Sequence, residues 1–364
     1  MAARMTTALR SSAFLALALV LGRPAAAQEE ASAAAAPMAP SLSAEDAGLT
    51  AFLQGLRPRA LREGVSAGTY DRETAGLTFN PKVVRLDRAQ PGGTPGVGPA
   101  GYADFAPYRR QHVDAAHINK GRALMQQLAV PLAGLEGRFG VAAPITLAIF
   151  GHETGYGSFT GNFDLIRSFA TLAYDGRRRE LFTAELIATL KLIDRGFTRS
   201  ELTGSWAGAT GFPQFLPSVY LRIGTDGDGD GRADIWTDRA DALASIAAYL
   251  REAGWKPGIP WGVPVQVPLG FDRQSIVSPL VSPRCPRVHG RLSRWLTMAD
   301  WRARGLVVEG TPVPADTELA QLIEPDGPGM TAYLLTTNYQ PILDYNCSNY
   351  YALSVGILAD EITR

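Results

Sequence analysis

Glu153 has the strongest chemical claim in this chain. It stands in IFGHETGYGSF, at the end of an apolar stretch, with Gly155 and Gly157 close behind. A carboxyl among apolar groups resists ionisation, so its pKa should rise. A raised pKa lets a carboxylic acid hold its proton near neutral pH and serve as a general acid. The glycines allow a sharp turn and let a sugar lie against the backbone. The competing explanation is a helix-end Glu held in a salt bridge.

Three other segments carry chemistry. GSWAGATGFPQFLPSVY (204–220) mixes small residues with Trp206, Phe212, Phe215 and Tyr220, and offers Ser205 and Gln214 as hydrogen-bonding groups. Flat apolar faces beside a few fixed polar groups suit a carbohydrate; a tight loop packed in the core would look similar. TNYQPILDYNCSNYYALSVGILADEI (337–362) is dense in Tyr and Asn, which suit sugar stacking and hydroxyl recognition but also occur in surface turns. TDGDGDGRADIWTDRADA (225–242) places Asp226, Asp228, Asp230 and Gly231 at positions 1, 3, 5 and 6 of an EF-hand calcium loop. The Arg232 carbonyl would take position 7 and Asp234 position 9. Position 12 holds Thr237 instead of Glu, so Asp238 or Asp241 would have to close the site. Calcium is the expected ion; a solvated acidic turn is the alternative.

Other catalytic plans fit less well. The four histidines (112, 117, 152 and 289) lack zinc-site spacing, and no G-x-S-x-G elbow occurs. Cys285 and Cys347 could form a disulfide or remain two buried thiols; their spacing does not decide.

These residues must be positioned by elements legible in the pattern. Pro144 opens an almost wholly apolar helix ending at Glu153, and such a helix is buried. Helical spacing marks 51–63, 115–139 with a break near Pro131, two helices in 165–196, and 239–253. Between 257 and 293, Pro, Gly and β-branched residues suggest a small β-rich or irregular insert. Helix returns at 298–304, strands near Val307 and 332–335, and a last helix at 350–362. The expected class is α+β, mainly helical.

Arg4 and Arg10, the apolar run from Ala13 to Leu21 and Ala25-Ala26-Ala27 order themselves as a secretory signal peptide (1–27). The run is too short to span a bilayer. A flexible leader (28–46), rich in Ala, Ser, Pro and Glu, and a single domain (47–364) should follow. Residues 91–101 are a loop by composition. The cut removes three of 35 basic residues and no acidic one, leaving a net charge of −3. That excludes an electrostatic case for nucleic acid or an anionic membrane. No cysteine lies near the cut to carry a lipid, and no later segment is long and apolar enough to span. The expectation is a soluble, periplasmic, monomeric protein.

Taken together, the Glu153 segment, SFATLAYDGRRRELF (168–182), GSWAGATGFPQFLPSVY, the Asp-rich loop and NYQPILDYNCSNYYAL resemble the lytic murein transglycosylase B family. Five motifs agree in order over roughly residues 45–364. The resemblance implies a lysozyme-like catalytic core with an extra helical lobe, a small β-rich insert (257–293) and an EF-hand-like structural calcium loop (226–241). It implies Glu153 as sole acid–base catalyst acting on peptidoglycan glycan strands, with 1,6-anhydromuramoyl products. Ser205, Gln214, Tyr345 and Asn338 would line the groove, joined by Phe215, Tyr174 and Asn346. Arg177 and Arg178 match an arginine pair near the peptide or glycan. No organic cofactor is implied. The alternatives are a lysozyme-type hydrolase and a non-catalytic, calcium-stabilised glycan-binding protein.

Overall fold

The computed structural model describes residues 43–89, 104–282 and 285–364. The signal-peptide expectation, most of the leader and the whole 91–101 loop lie outside these residues. Helix begins at Ala44, seven residues before the helical spacing at 51–63 and three before the expected start of the domain at 47. The Ser43 hydroxyl accepts the Asp46 N–H, and Glu45 and Asp46 sit in the first turn of α1 (Ala44–Arg62). Such a cap with first-turn acids satisfies free N–H groups and favours the helix dipole.

Three apolar cores organise the rest. The first is a helical lobe. It joins α1, α2 (Ala67–Thr74) and α3 (Pro81–Ala89) to later helices described below. The chain then enters the second core through α4 (Phe105–His112), α5 (Ala115–Gln127), α6 (Ala129–Phe139) and α7 (Ala143–Thr154). The break between α5 and α6 falls at Leu128, so Pro131 lies in the first turn of α6, where a missing N–H costs little. Helix α7 is buried on nearly every side, with Pro144 in its first turn, as its composition predicts.

A two-stranded ribbon pairs β1 (Phe163–Asp164) with β2 (Thr203–Gly204). Between them α8 (Leu165–Asp175) and α9 (Arg179–Asp194) return to the lobe. Helix α10 (Pro217–Ile223) completes the lobe. Helix α11 (Arg239–Glu252) crosses to the second core, where Leu243, Ile246 and Leu250 are buried.

The third core belongs to a five-stranded antiparallel sheet of order β4-β6-β7-β3-β5. Its strands are β3 (Gly262–Gln266), β4 (Leu296–Thr297), β5 (Val307–Val308), β6 (Leu319–Ile323) and β7 (Ala332–Thr336), with α12 (Pro286–His289) and α13 (Met298–Ala303) alongside. The sheet is wider than the insert expected at 257–293, which supplies only β3. Strand β6 escaped the sequence reading because Ala320–Ile323 are all buried, leaving no polar–apolar alternation. Helices α14 (Tyr339–Tyr345) and α15 (Asn349–Thr363) close the chain. Helix α15 is buried along most of its length and packs on α7 and α5. Tyr249 and Tyr345 touch both helical cores and mark the seam between them.

Candidate active site

The site forms where α7 ends. Gly155 takes a left-handed conformation (φ 56°) and caps the helix. Tyr156 (φ 58°) and Gly157 (φ 82°) continue it. Tyr156 is held there by its hydroxyl, which donates to the His117 carbonyl at 2.9 Å. This turn leaves Glu153 on the last helical turn, partly open to solvent but crowded by protein around its carboxyl. Burial pushes the Glu153 carboxyl up to about 7, against a lowering contribution from the Tyr351 hydroxyl. That hydroxyl donates to Glu153 Oε1 at 2.7 Å. Among the described residues, burial and the Tyr351 hydroxyl are what shift Glu153.

Tyr351 was not singled out from the sequence. It sits in NYYAL, a quoted motif, but nothing in the spacing says which tyrosine faces an acid 198 residues earlier. Its own pKa is driven well above 10 by burial and the nearby carboxylate, so it remains a donor. Tyr345 lies nearly parallel to it, with centroids 6.4 Å apart and planes at 10°. The Tyr345 hydroxyl donates to the Pro213 carbonyl at 2.6 Å and so brings the next loop to the site.

That loop spans 203–215. Gln214 is left-handed (φ 53°), a conformation rare outside glycine and common at functional sites. Its amide donates to the Gly211 carbonyl at 2.9 Å and the Thr160 carbonyl at 3.4 Å. Gly161 packs so closely that a Cβ there would lie 2.3 Å from Gly204 and 2.6 Å from the Ser205 nitrogen. Ser205 accepts the Ala209 N–H on its Oγ at 3.0 Å. Glu153, Tyr351, Tyr345, Gln214 and Ser205 are thus linked through successive contacts into one wall. Asn346 is exposed next to Tyr345.

Five expected groove residues are placed otherwise. Asn338 is wholly buried. Its amide donates to the Lys256 and Ile259 carbonyls and accepts the Lys256 N–H, so it ties α14 to the 256–259 turn. Phe215 is 3% exposed and backs Tyr345 at 5.7 Å without lining a surface. Tyr174 packs on Phe52 and Phe79 in the lobe. Arg177 and Arg178 both engage the buried Asp87 of α3. They stand beyond the far end of α8, whose first turn follows the β1–β2 ribbon. A buried carboxylate demands paired cations, which explains their capture.

In the Asp-rich loop, carboxylate oxygens of Asp226, Asp228 and Asp230 lie within 4.8 Å of one another. Three like charges that close repel unless a cation joins them, so the donor set fits a hard divalent ion. Asp226, Asp228 and Asp230 also accept loop N–H groups, and the other expected ligands are engaged with the loop as well. Asp241 accepts the Gly227 and Asp234 N–H groups. Asp234 accepts Trp236 and Thr237 N–H groups. Asp238 caps α11. The Arg232 side chain reaches Glu201 at 2.7 Å, leaving its carbonyl as the position-7 candidate.

An acid crowded by protein at the end of a core helix, with two helical cores meeting beside it, belongs to a lysozyme-like lytic transglycosylase fold. Comparison with known proteins agrees. Residues 48–360 match the transglycosylase SLT domain, and the chain belongs to that family. It is 28% identical to the membrane-bound lytic murein transglycosylase B of Escherichia coli over 258 residues, 70% of this chain and 66% of that relative's length. It superposes on SltB3 from Pseudomonas aeruginosa, solved in complex with NAG-anhNAM-pentapeptide, at TM-score 0.76 and 38% identity, covering 86% of this chain and 79% of that one. The soluble lytic transglycosylase SltB1 of the same organism matches at TM-score 0.71 and 27% identity, covering 87% and 98%. Among the described residues, no single helix is long and apolar enough to cross a membrane.

Proposed function

We propose that this protein is a periplasmic lytic transglycosylase that cleaves the bond between N-acetylmuramic acid and N-acetylglucosamine in peptidoglycan, with Glu153 as its single acid–base catalyst. The observation that carries this reading is a carboxyl held up to about 7 by burial, hydrogen-bonded to one neutral tyrosine. Hydrolytic glycosidases generally pair two carboxylates across the bond. Here the substrate supplies what the second would do.

Glu153, protonated, gives its proton to the bridging oxygen as the bond from muramoyl C1 breaks. The N-acetylglucosamine leaves with a new hydroxyl. The oxocarbenium-like carbon is stabilised by the substrate's own acetamido oxygen. Glu153, now ionised, takes the proton of the muramoyl C6 hydroxyl while that oxygen attacks C1 and closes the 1,6-anhydro ring. Proton and electron pairs balance, and no water enters. Tyr351 donates to the carboxylate and favours its ionised form in the second half. Ser205 and Gln214 offer hydrogen bonds to the glycan and Tyr345 a ring face.

The Asp226, Asp228 and Asp230 carboxylates with the Arg232 carbonyl would hold calcium, while Asp234 and Asp241 brace the loop. The ion's role is structural, neutralising the acidic turn. The protein acts as a monomer on glycan strands.

Purified peptidoglycan digested with residues 28–364 and analysed by mass spectrometry tests the reading. The expected products are non-reducible muropeptides one water lighter than hydrolysis products. Reducing-end products would make it a hydrolase, and binding without products a recognition protein.

A further inference from the structure

Glu153 and Tyr351 do not stand alone. A row of rings from three helices ends on them. On α4, Tyr108 and His112 stack at 4.0 Å with planes at 21°. The His112 Nδ1 lies 2.9 Å from the Tyr108 carbonyl, which fixes its ring. On α7, His152 stacks on His112 at 4.7 Å with planes at 8°. It then meets Tyr351 of α15 edge-on, at 4.5 Å and 66°. Consecutive helical residues point about 100° apart. One α15 ring nevertheless touches both, taking His152 against its ring and giving its hydroxyl to Glu153.

The histidine carries an unusual cost. Its Nε2 is buried and finds no hydrogen-bond partner among the described residues. A flat ring at this place is thus held in its stack by ring contacts, without a hydrogen bond at Nε2. The row is braced behind: Tyr350 packs on Tyr108 at 5.8 Å and on Phe105 at 5.4 Å. The side of Tyr351 that meets His152 is therefore backed by a supported stack.

We infer that His152 is a positioning residue: stacked on His112 and wedged against Tyr351, it sets the orientation from which the Tyr351 hydroxyl donates to Glu153. The imidazole is neutral at working pH, because burial and the neighbouring His112 and His117 hold it down to about 3. A cation at this place would favour ionised Glu153 and oppose its role as acid. A neutral flat ring of this size meets both demands.

The inference rests on the reading of Glu153 as the acid. The experiment is a double-mutant cycle in the full chain, measured as anhydromuropeptide release from soluble glycan, with melting temperature followed for each variant. His152→Ala should lower kcat about tenfold, with KM within about twofold. His152→Phe, which keeps a flat ring, should recover most of the loss. In a Tyr351→Phe background, His152→Ala should cost less than about twofold, because the hydroxyl it aims is gone. Equal losses in both backgrounds, or unchanged kcat in His152→Ala, would overturn the inference. If His152→Ala does not fold, His152→Phe decides: activity below about a tenth of wild type means the ring's position is not what matters. Glu153→Gln runs alongside. Activity retained there sinks the Glu153 assignment itself, whereas an inactive Glu153→Gln with an additive cycle removes only the role of His152.

Discussion

Glu153 is poised by opposing effects of different size. Burial raises its pKa from 4.5 to about 7, and the Tyr351 hydrogen bond subtracts from that rise. Three outcomes follow at the scale of the residue. Glu153→Gln should lower turnover by at least about a thousandfold, since the proton donor is lost. The same variant should be more stable than wild type at alkaline pH. A carboxyl whose folded pKa is raised favours the native state below the unfolded value and loses that contribution as pH rises through the folded one. The loss here runs from pH 4.5 to about 7. With partial solvent access discounted, Glu153→Gln should gain about 1–3 kcal/mol at pH 8 and nothing at pH 4. Urea denaturation at the two pH values checks this; equal gains at both would refute the linkage. Tyr351→Phe should move the alkaline limb of the activity profile to higher pH, because the donor that lowered the carboxyl is gone. A limb that stays or moves down would count against the contact. What was legible at this scale was Glu153, announced by an apolar helix that ends in an acid and glycines. Tyr351 was not, because its partnership is a long-range contact with no local periodicity. Asn338 was expected in the groove only through the family resemblance, and no local pattern shows that its amide is taken up by the Lys256 and Ile259 backbone.

The elements show where local pattern suffices. Helix α7 follows from Pro144, its unbroken apolar faces and Gly155. The strands of the sheet were only partly visible, since β6 is buried on both faces and β4 and β5 are two residues each. Between helices the chain is held by a bond that spacing left open. Cys285 and Cys347 form a disulfide across 62 residues. It joins the start of α12 to the short loop between α14 and α15, the loop that carries Asn346 and leads into Tyr351. Asn349 adds a hydrogen bond to the Val288 carbonyl at 2.8 Å. The disulfide therefore ties the loop before Tyr351 to α12, whose Val288 packs on the second core. Replacing both cysteines with serine should cost about 4 kcal/mol through the freed unfolded chain. Activity per folded molecule should also fall, because the loop is less fixed. Identical denaturation midpoints for the oxidised wild type and the double variant would show that the bond is incidental.

At the scale of the whole molecule, the candidate site depends on how the helical lobe and the second core are joined. The Asp-rich loop lies in that connection, between α10 of the lobe and α11 of the core. Gly227 packs against the α11 backbone, where a Cβ would lie 2.3 Å from the Ala240 carbonyl. Asp241, in the first turn of α11, holds the loop's start and middle by two backbone amides. Neutralising Asp226, Asp228 and Asp230 with one cation would remove their mutual repulsion and lock this connection. An ion bound only by the folded state stabilises it by mass action, about 2.7 kcal/mol at a hundred times its dissociation constant. Chelation should therefore lower the melting temperature by several degrees. Calcium should restore it, and magnesium should do so less, since the loop offers flexible oxygen ligands and no octahedral cage. Asp228→Asn with Asp230→Asn should melt at the chelated temperature and ignore added calcium. Because Tyr249 and Tyr345 bridge the two cores, the chelated protein should also exchange amide hydrogens faster in α10 and α11 than in the sheet. A melting temperature indifferent to chelation would make the loop a solvated acidic turn, and the seam between the cores would then owe its order to apolar packing alone.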